Sequence, residues 1–401
     1  MTIQHSVRNA ERPHVVLVNT GPVIDSRGGT EKIFSSMANA LDERGFDVTA
    51  ICCDARNGRP GYEFAPSVKF INAYVKPLFS FLYKYPFKEL LCLRLTKFEK
   101  VRAKQTLNDK WKFRSFRKIS SEFSSADVVV SFQVETTHIL RQLGVDAPIV
   151  TMLHSAPEVY MNRPAFSVYQ NSVNSCSAVQ VLLPEFVAAA RKELQDVPIV
   201  VIPNVVQQFE RVSPCSAKTI VCLARLEAGK RPELLVEAFA LLKEEFPDWV
   251  CEWWGDLGNE KMRKRIEALI RQRGLENRFL LQGRTSDIEG VLLKSSIFAF
   301  PSSFEGFGLS LAESFAMGLP AVGCKDCSAV NTLIRDGVNG YLAEPTPQAF
   351  ASALKKLMSD GDLRRSLGTM GRKDMTSYTE ERVWGIWDKL LRKIIQGGSP
   401  N

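Results

Sequence analysis

Glu305 and Glu313 lie eight residues apart in the stretch Phe304-Glu305-Gly306-Phe307-Gly308-Leu309-Ser310-Leu311-Ala312-Glu313. Gly306 and Gly308 clear room for a ligand against the backbone, whose N–H groups can meet phosphate or sugar oxygens. Each carboxylate can accept paired hydrogen bonds from vicinal hydroxyls, so one can serve a sugar and the other a ribose. Arg225 and Lys230 bracket the turn Leu226-Glu227-Ala228-Gly229. Two cations at a strand end suit a pyrophosphate and offset the charge that builds on it as it leaves. Their competing reading is a pair of solvated surface charges. Gly28-Gly29-Thr30-Glu31 opens a helix, where paired glycines and free N–H groups favour an anion; its alternative is a plain tight turn. His154 directly follows an apolar strand, a setting that His5, His14 and His138 lack. An imidazole there can contact a bound sugar or be a satisfied structural histidine.

The elements that must carry these loops alternate between strand-like and helix-like segments. Strands are predicted at Val15–Asn19, Asp47–Cys52, Asp127–Phe132 and Ile149–Leu153, with a helix over Glu31–Gly45. The second half repeats the theme. It has strands at Thr219–Leu223, Trp249–Trp254, Phe279–Leu281, Ile297–Pro301 and Ala321–Gly323, and helices over Pro232–Phe246, Lys261–Arg273 and Leu309–Ala316. Such alternation gives an α/β fold: two doubly wound parallel sheets in series, with ligands at the carboxyl ends of their strands. Val201–Ala217 reads as the linker, and Glu380–Ile395 as a last amphipathic helix. The expected domains are 1–200, 201–375 and a C-terminal helical piece, 376–401, packing back towards the first. The two sheets are expected to face each other across a cleft.

The bulk composition is that of an ordinary globular chain, 45% apolar and 24% charged over 401 residues. The longest apolar stretches are strand-sized, and the N-terminus has no apolar signal core, so a cytoplasmic location is expected. Nine cysteines are irregularly spaced; Cys324 and Cys327 have the CxxC spacing but no further ligands nearby, and no metal is expected. The net charge of +8 is uneven. Residues 76–118 hold thirteen Lys/Arg against three Asp/Glu, so the remainder of the chain sums to −2.

Taken together, Glu305-Gly306-Phe307-Gly308 with Glu313, Arg225-Leu226 with Lys230, Gly28-Gly29, and Ile202-Pro203-Asn204-Val205 resemble glycosyltransferase family 4, retaining transferases of GT-B fold. The order and spacing of these motifs span nearly the whole chain. The resemblance implies that Arg225 and Lys230 bind the donor diphosphate, that Glu305 touches the hexose hydroxyls and that Glu313 touches the nucleotide ribose. It implies that the loop at Gly283 and Arg284 lines the base, and that Gly29 and His154 face the donor from the first domain. Trp254-Gly255-Asp256 departs from the family's Gly-Asp-Gly, because Leu257 intervenes before Gly258. The implied reaction is metal-independent and needs no cofactor. Its co-substrate is a nucleotide sugar, with uridine the commonest nucleotide in the group, and no residue serves as covalent nucleophile.

Lys76–Lys118 interleaves its cations with Phe79, Phe81, Tyr83, Tyr85, Phe87, Phe98, Trp111, Phe113 and Phe116, a mixture that suits an anionic membrane surface. A peripheral enzyme acting on a lipid-linked or glycan acceptor in bacterial surface polysaccharide synthesis is the expected setting. A pair of helices covering the first domain is the competing reading of this segment. Nucleic acid is not expected, since no recognised nucleic-acid motif accompanies the cations. Other classes weighed are a GT-B-like sugar-nucleotide epimerase, a phosphorylase and a non-catalytic sugar-binding scaffold.

Overall fold

A computed structural model describes residues 12–75, 109–162 and 166–400. Residues 76–108, most of the basic segment, lie outside them. The chain forms two compact units, Met1–Ile202 with Trp384–Asn401, and Pro203–Val383.

The first unit holds seven strands: β1 (His14–Asn19), β2 (Asp47–Cys52), β3 (Lys69–Asn72), β4 (Val128–Ser131), β5 (Ile149–Met152), β6 (Ala178–Val181) and β7 (Ile199–Val201). Their order is β3-β2-β1-β4-β5-β6-β7, and every pairing is parallel. Val15 to Val18 are fully buried, the continuous apolar run of a strand covered on both faces. The helix Gly29–Glu43 buries Ile33, Phe34, Met37, Ala38 and Leu41 at helical spacing.

The second unit holds six: β8 (Thr219–Leu223), β9 (Val250–Trp254), β10 (Phe279–Gly283), β11 (Ile297–Phe300), β12 (Ala321–Cys324) and β13 (Gly340–Ala343). They run β10-β9-β8-β11-β12-β13, again all parallel. Leu235, Phe239, Trp253, Ile266, Phe279, Ile297 and Leu354 fill one core between this sheet and its helices.

Four strands go beyond the sequence reading: β3, β6, β7 and β13. Strand β3 is an edge strand with no fully buried residue. Strand β6 carries Gln180 at a fully buried position, where its Nε2 donates to the Ile202 carbonyl at 2.5 Å; a buried amide breaks the apolar run that marks such a strand. The helix expected over Pro232–Phe246 ends at Ala240. Leu242 N turns to the Phe239 carbonyl at 3.0 Å, tightening the chain ahead of Pro247, whose ring disfavours helix in the residue before it. Most of the stretch read as linker is built into the second unit. Val206 N donates to Tyr378 O at 2.8 Å, Arg372 Nη2 to Phe209 O at 2.6 Å, and the buried Ser213 Oγ to Ser295 O at 2.6 Å.

The last helix, Glu380–Ile395, buries Val383, Trp384, Trp387, Leu390, Leu391 and Ile394. Its Arg392 donates to the Arg44 carbonyl at 2.7 Å and covers the Phe46 ring, a cation placed at the carboxyl end of the helix Gly29–Glu43. No helix among the described residues is long and apolar enough to cross a membrane.

Arg364 is buried at the heart of the second unit. It donates to Cys215 O at 3.0 Å and to Leu357 O at 2.7 Å, with its guanidinium over the Trp249 ring. It thereby closes the last turn of the helix Pro347–Ser359 against the segment entering β8. Truncating it leaves buried carbonyls without a charged donor, so Arg364→Ala is expected to destabilise this unit by about 3 kcal/mol. Urea unfolding followed by hydrogen exchange in β8 and Pro347–Ser359 measures the loss.

Candidate functional site

In both sheets the strand order reverses direction once, between β1 and β4 and between β8 and β11. Loops leaving two such neighbours on opposite faces open a crevice at the strands' carboxyl ends.

At the β8/β11 crevice the chain after Leu223 runs through Ala224 and Arg225 into a short 3-10 turn, Ala228–Lys230. Arg231 takes a left-handed conformation (φ 48°) before Pro232 starts the next helix. Its guanidinium is held by Asp326 after β12, with Nη1 2.8 Å from Oδ1. The loop after β11 is tied to the same turn, since Ser303 donates to the Gly229 carbonyl from both its N at 2.9 Å and its Oγ at 3.0 Å. That clamp brings Lys230 Nζ to 2.6 Å from Glu305 Oε1. The pair bridges the crevice with side chains only 14% and 13% exposed. Phe304 lies beside it, its centroid 5.9 Å from Lys230 Nζ, with 49% of the residue open to solvent.

Gly308 (φ 82°) caps the helix Leu309–Ala316, a left-handed position that suits glycine. Phe307 is buried edge-on against Tyr378, centroids 5.4 Å apart. The N–H groups of Gly308 and Leu309 thus sit at a helix start that Phe307 anchors. Glu313 is buried one turn into this helix.

The loop after β9 explains the extra residue in Trp254-Gly255-Asp256-Leu257-Gly258. Gly255 (φ 138°) passes so near the β8 loop that a Cβ would stand 2.2 Å from Ala224 O; at Gly258 (φ 69°) it would stand 2.3 Å from Leu226 O. Glycine is required at both contacts, and Leu257 spans the interval. Leu226 N donates to Asp256 O at 2.7 Å, and Gly255 N to Gly283 O at 2.8 Å, so three strand-end loops form one assembly. Arg284 pairs with Asp256 and, with the nearby Arg225, holds its carboxyl below the usual range. Both cations are largely solvated, Arg225 71% and Arg284 73% exposed.

The structure therefore joins Lys230, Glu305, Gly306, Phe307, Gly308 and Leu309 on two clamped loops. Arg225 shares the β8 loop with Lys230 but stays outside the ion pair, and Gly283 and Arg284 stand at the end of β10. The sequence reading did not name Ser303, and it quoted Gly229, Phe304 and Asp256 in their motifs without giving them a role. The signal for Phe304 was its place next to Glu305; the others gain meaning only through contacts between loops. Burial pushes the Cys324 thiol up to about 12 and that of Cys327 up to about 11, so this CxxC pair stays protonated at neutral pH. Among the described residues, no group of three or more His, Cys, Asp or Glu is placed to hold a metal ion.

In the first unit Gly28 caps the helix Gly29–Glu43, accepting from Lys32 N at 3.0 Å, and the Glu31 carboxylate lies against Gly28. His154 follows β5. Its ring stacks on Phe132 with centroids 5.1 Å apart, and its buried Nε2 has no partner among the described residues. Burial pulls its pKa down to about 4, so the imidazole is neutral at physiological pH.

Both sheets, their orders and their strand-end loops are those of the GT-B fold. The chain superposes on sucrose-phosphate synthase of Thermosynechococcus elongatus with TM-score 0.78 at 18% identity, covering 96% of this chain and 100% of that one. It superposes on Staphylococcus aureus TarM, solved with UDP, with TM-score 0.74 at 13% identity, covering 94% and 99%. Residues 207–374, which hold the clamped loops, match the family model for glycosyl transferases group 1. The chain is 29% identical over 48% of its length to an exopolysaccharide phosphotransferase of Streptomyces coelicolor, spanning 21% of that protein. It is 31% identical over 41% of its length to a Campylobacter jejuni N-acetylgalactosaminyltransferase whose acceptor is a diphospho-undecaprenol, spanning 44% of it. An uncharacterized glycosyltransferase of Haemophilus influenzae is 22% identical over 92% of this chain and 97% of its own.

The His154 ring gives a pH test. Between pH 6.5 and about 4 the unfolded chain takes up a proton that the folded ring refuses. Stability held above pH 6.5 is therefore lost as pH falls through that window, by up to ~3 kcal/mol. His154→Gln should flatten this part of the stability–pH curve. An imidazole resonance titrating near 6.5 in the folded protein would contradict the burial described here.

Proposed function

We propose that the chain is a retaining hexosyltransferase that takes its sugar from a nucleotide diphosphate sugar, a UDP-sugar first among them. One observation carries this reading: Lys230 and Glu305 meet at 2.6 Å across the β8/β11 crevice, between glycine-lined loops and a helix start. In this reading the Lys230 ammonium and the N–H groups at Gly308 and Leu309 receive the diphosphate, with Arg225 entering from solvent. Glu305 binds the hexose hydroxyls, Glu313 the ribose, and the Gly283–Arg284 loop borders the base. Gly28, Gly29 and His154 serve the donor from the first unit, His154 as a neutral ring.

The step needs no group from outside the chain and its substrates. The acceptor oxygen bonds to the anomeric carbon on the face from which the phosphate oxygen leaves. The C–O electron pair goes to the diphosphate, whose oxygen takes the acceptor's proton. Lys230 stabilises the charge gathering there more strongly in the transition state than in the bound donor. The acceptor is proposed to be lipid-linked or a glycan, met from the cytoplasmic face with residues 76–118 against anionic lipid. The Campylobacter relative, whose acceptor is a polyprenyl diphosphate, supports this choice.

Release of nucleotide from a panel of nucleotide sugars, with and without chelator, tests the reading. One donor should be hydrolysed or transferred with equal rates in both conditions. Lys230→Ala and Glu305→Ala should each lower turnover ~100-fold or more while circular dichroism stays unchanged. No nucleotide released from any donor would favour a sugar-binding scaffold instead.

A further inference from the structure

The β1/β4 crevice of the first unit is a second place where strand-end loops diverge, and its chemistry differs from that of β8/β11. Thr20, next after β1, donates from its N to Gln133 Oε1 at 2.9 Å, and Gln133 is next but one after β4. Thr20 Oγ1 lies 3.2 Å from the same oxygen and 2.9 Å from Thr136 Oγ1. The Gln133 amide in turn donates to Asn19 Oδ1 at 2.6 Å, and Gly21 N donates to it at 2.9 Å. Asn19 is fully buried, yet its Nδ2 has no partner among the described residues. A polar network therefore spans the crevice with one buried donor unused.

Into this network reaches Lys112, from helical residues 109–117. Its Nζ donates to Thr20 Oγ1 at 3.1 Å and is half-buried. An ammonium has three N–H donors, and among the described residues no carboxylate lies within ion-pair distance of this one. The nearest candidate on its own helix, Asp109, instead accepts from the Tyr169 hydroxyl at 2.8 Å. Lys110, Arg114, Arg117 and Lys118, on the same stretch of chain, are exposed. A half-buried ammonium whose one described contact is a neutral hydroxyl keeps N–H donors for an anion with several acceptor oxygens, such as a phosphate group.

We infer that Lys112, with Thr20 and the Asn19–Gln133 network, forms an anion subsite in the first unit that takes a phosphate group of the acceptor. That the phosphate belongs to an acceptor rests on the transferase reading; the subsite itself does not. A soluble phosphate ester and a lipid phosphate share this chemistry.

The test uses the full chain carrying Lys230→Ala, so that the second unit's cation does not compete. Binding is measured with inorganic pyrophosphate and, separately, with phosphatidylcholine vesicles containing phosphatidylglycerol. Adding Lys112→Gln should weaken at least one probe tenfold or more. Adding Lys110→Gln, an exposed neighbour, should change it less than twofold, and both variants should keep the parent's melting temperature. Loss on pyrophosphate points to a soluble phosphate; loss on vesicles alone points to a lipid. Equal effects of the two substitutions, or none from Lys112→Gln on either probe, overturn the inference. Donor hydrolysis by the otherwise unaltered chain is read independently, so failure of the transferase reading is told apart from failure of the subsite.

Discussion

An ammonium and a carboxylate are confined at 2.6 Å in the mouth of the second unit's parallel sheet, and the loops around them are built to hold them there. Withdrawing two charges from water is costly, and their mutual attraction offsets this only in good geometry. The geometry comes from neighbours that are themselves restrained. Ser303 fixes the turn beneath Lys230, and Arg231 is pinned to Asp326. The Leu309 helix start holds the far side. In the proposed function a diphosphate would meet a cation already placed and already sheltered, so little ordering would remain to be done on binding.

The same logic extends sideways through close backbone approach. Gly255 and Gly258 bring the β9 loop onto the β8 loop, and Gly283 continues the contact to β10. Each loop is short and bonded to the next, so displacement of one is resisted by the others. Arg225 and Arg284 are the solvent-exposed parts of this braced rim, paired with Glu227 and Asp256.

Much of this was legible in the residues alone. The apolar runs at Val15–Val18 and Ile297–Phe300 announced buried parallel strands, and the glycine-spaced carboxylates marked their loop. Lys230 and Glu305 were each singled out, yet their pairing was not, because 75 residues separate them and only the neighbouring of β8 and β11 brings them together. Strand β6 was hidden by a buried glutamine whose partner, Ile202 O, lies 22 residues on. His154 was singled out by position; its stacking on Phe132 was not foreseen, since it depends on a side chain from the neighbouring strand's end. Local pattern reports a residue's own periodicity, whereas pairing across strands is a property of topology.

The helix Glu380–Ile395 has a bearing on biosynthesis. From Trp384 on it belongs to the first unit, although the whole of Pro203–Val383 precedes it in the chain. A ribosome therefore delivers every strand of the first sheet early but withholds Trp384, Trp387 and Leu391 until the second unit has been synthesised. In the interval the surface around Arg44 and Phe46 lacks its cover. The earlier unit therefore keeps the apolar surface that Trp384, Trp387 and Leu391 later cover exposed for as long as translation of the intervening residues lasts.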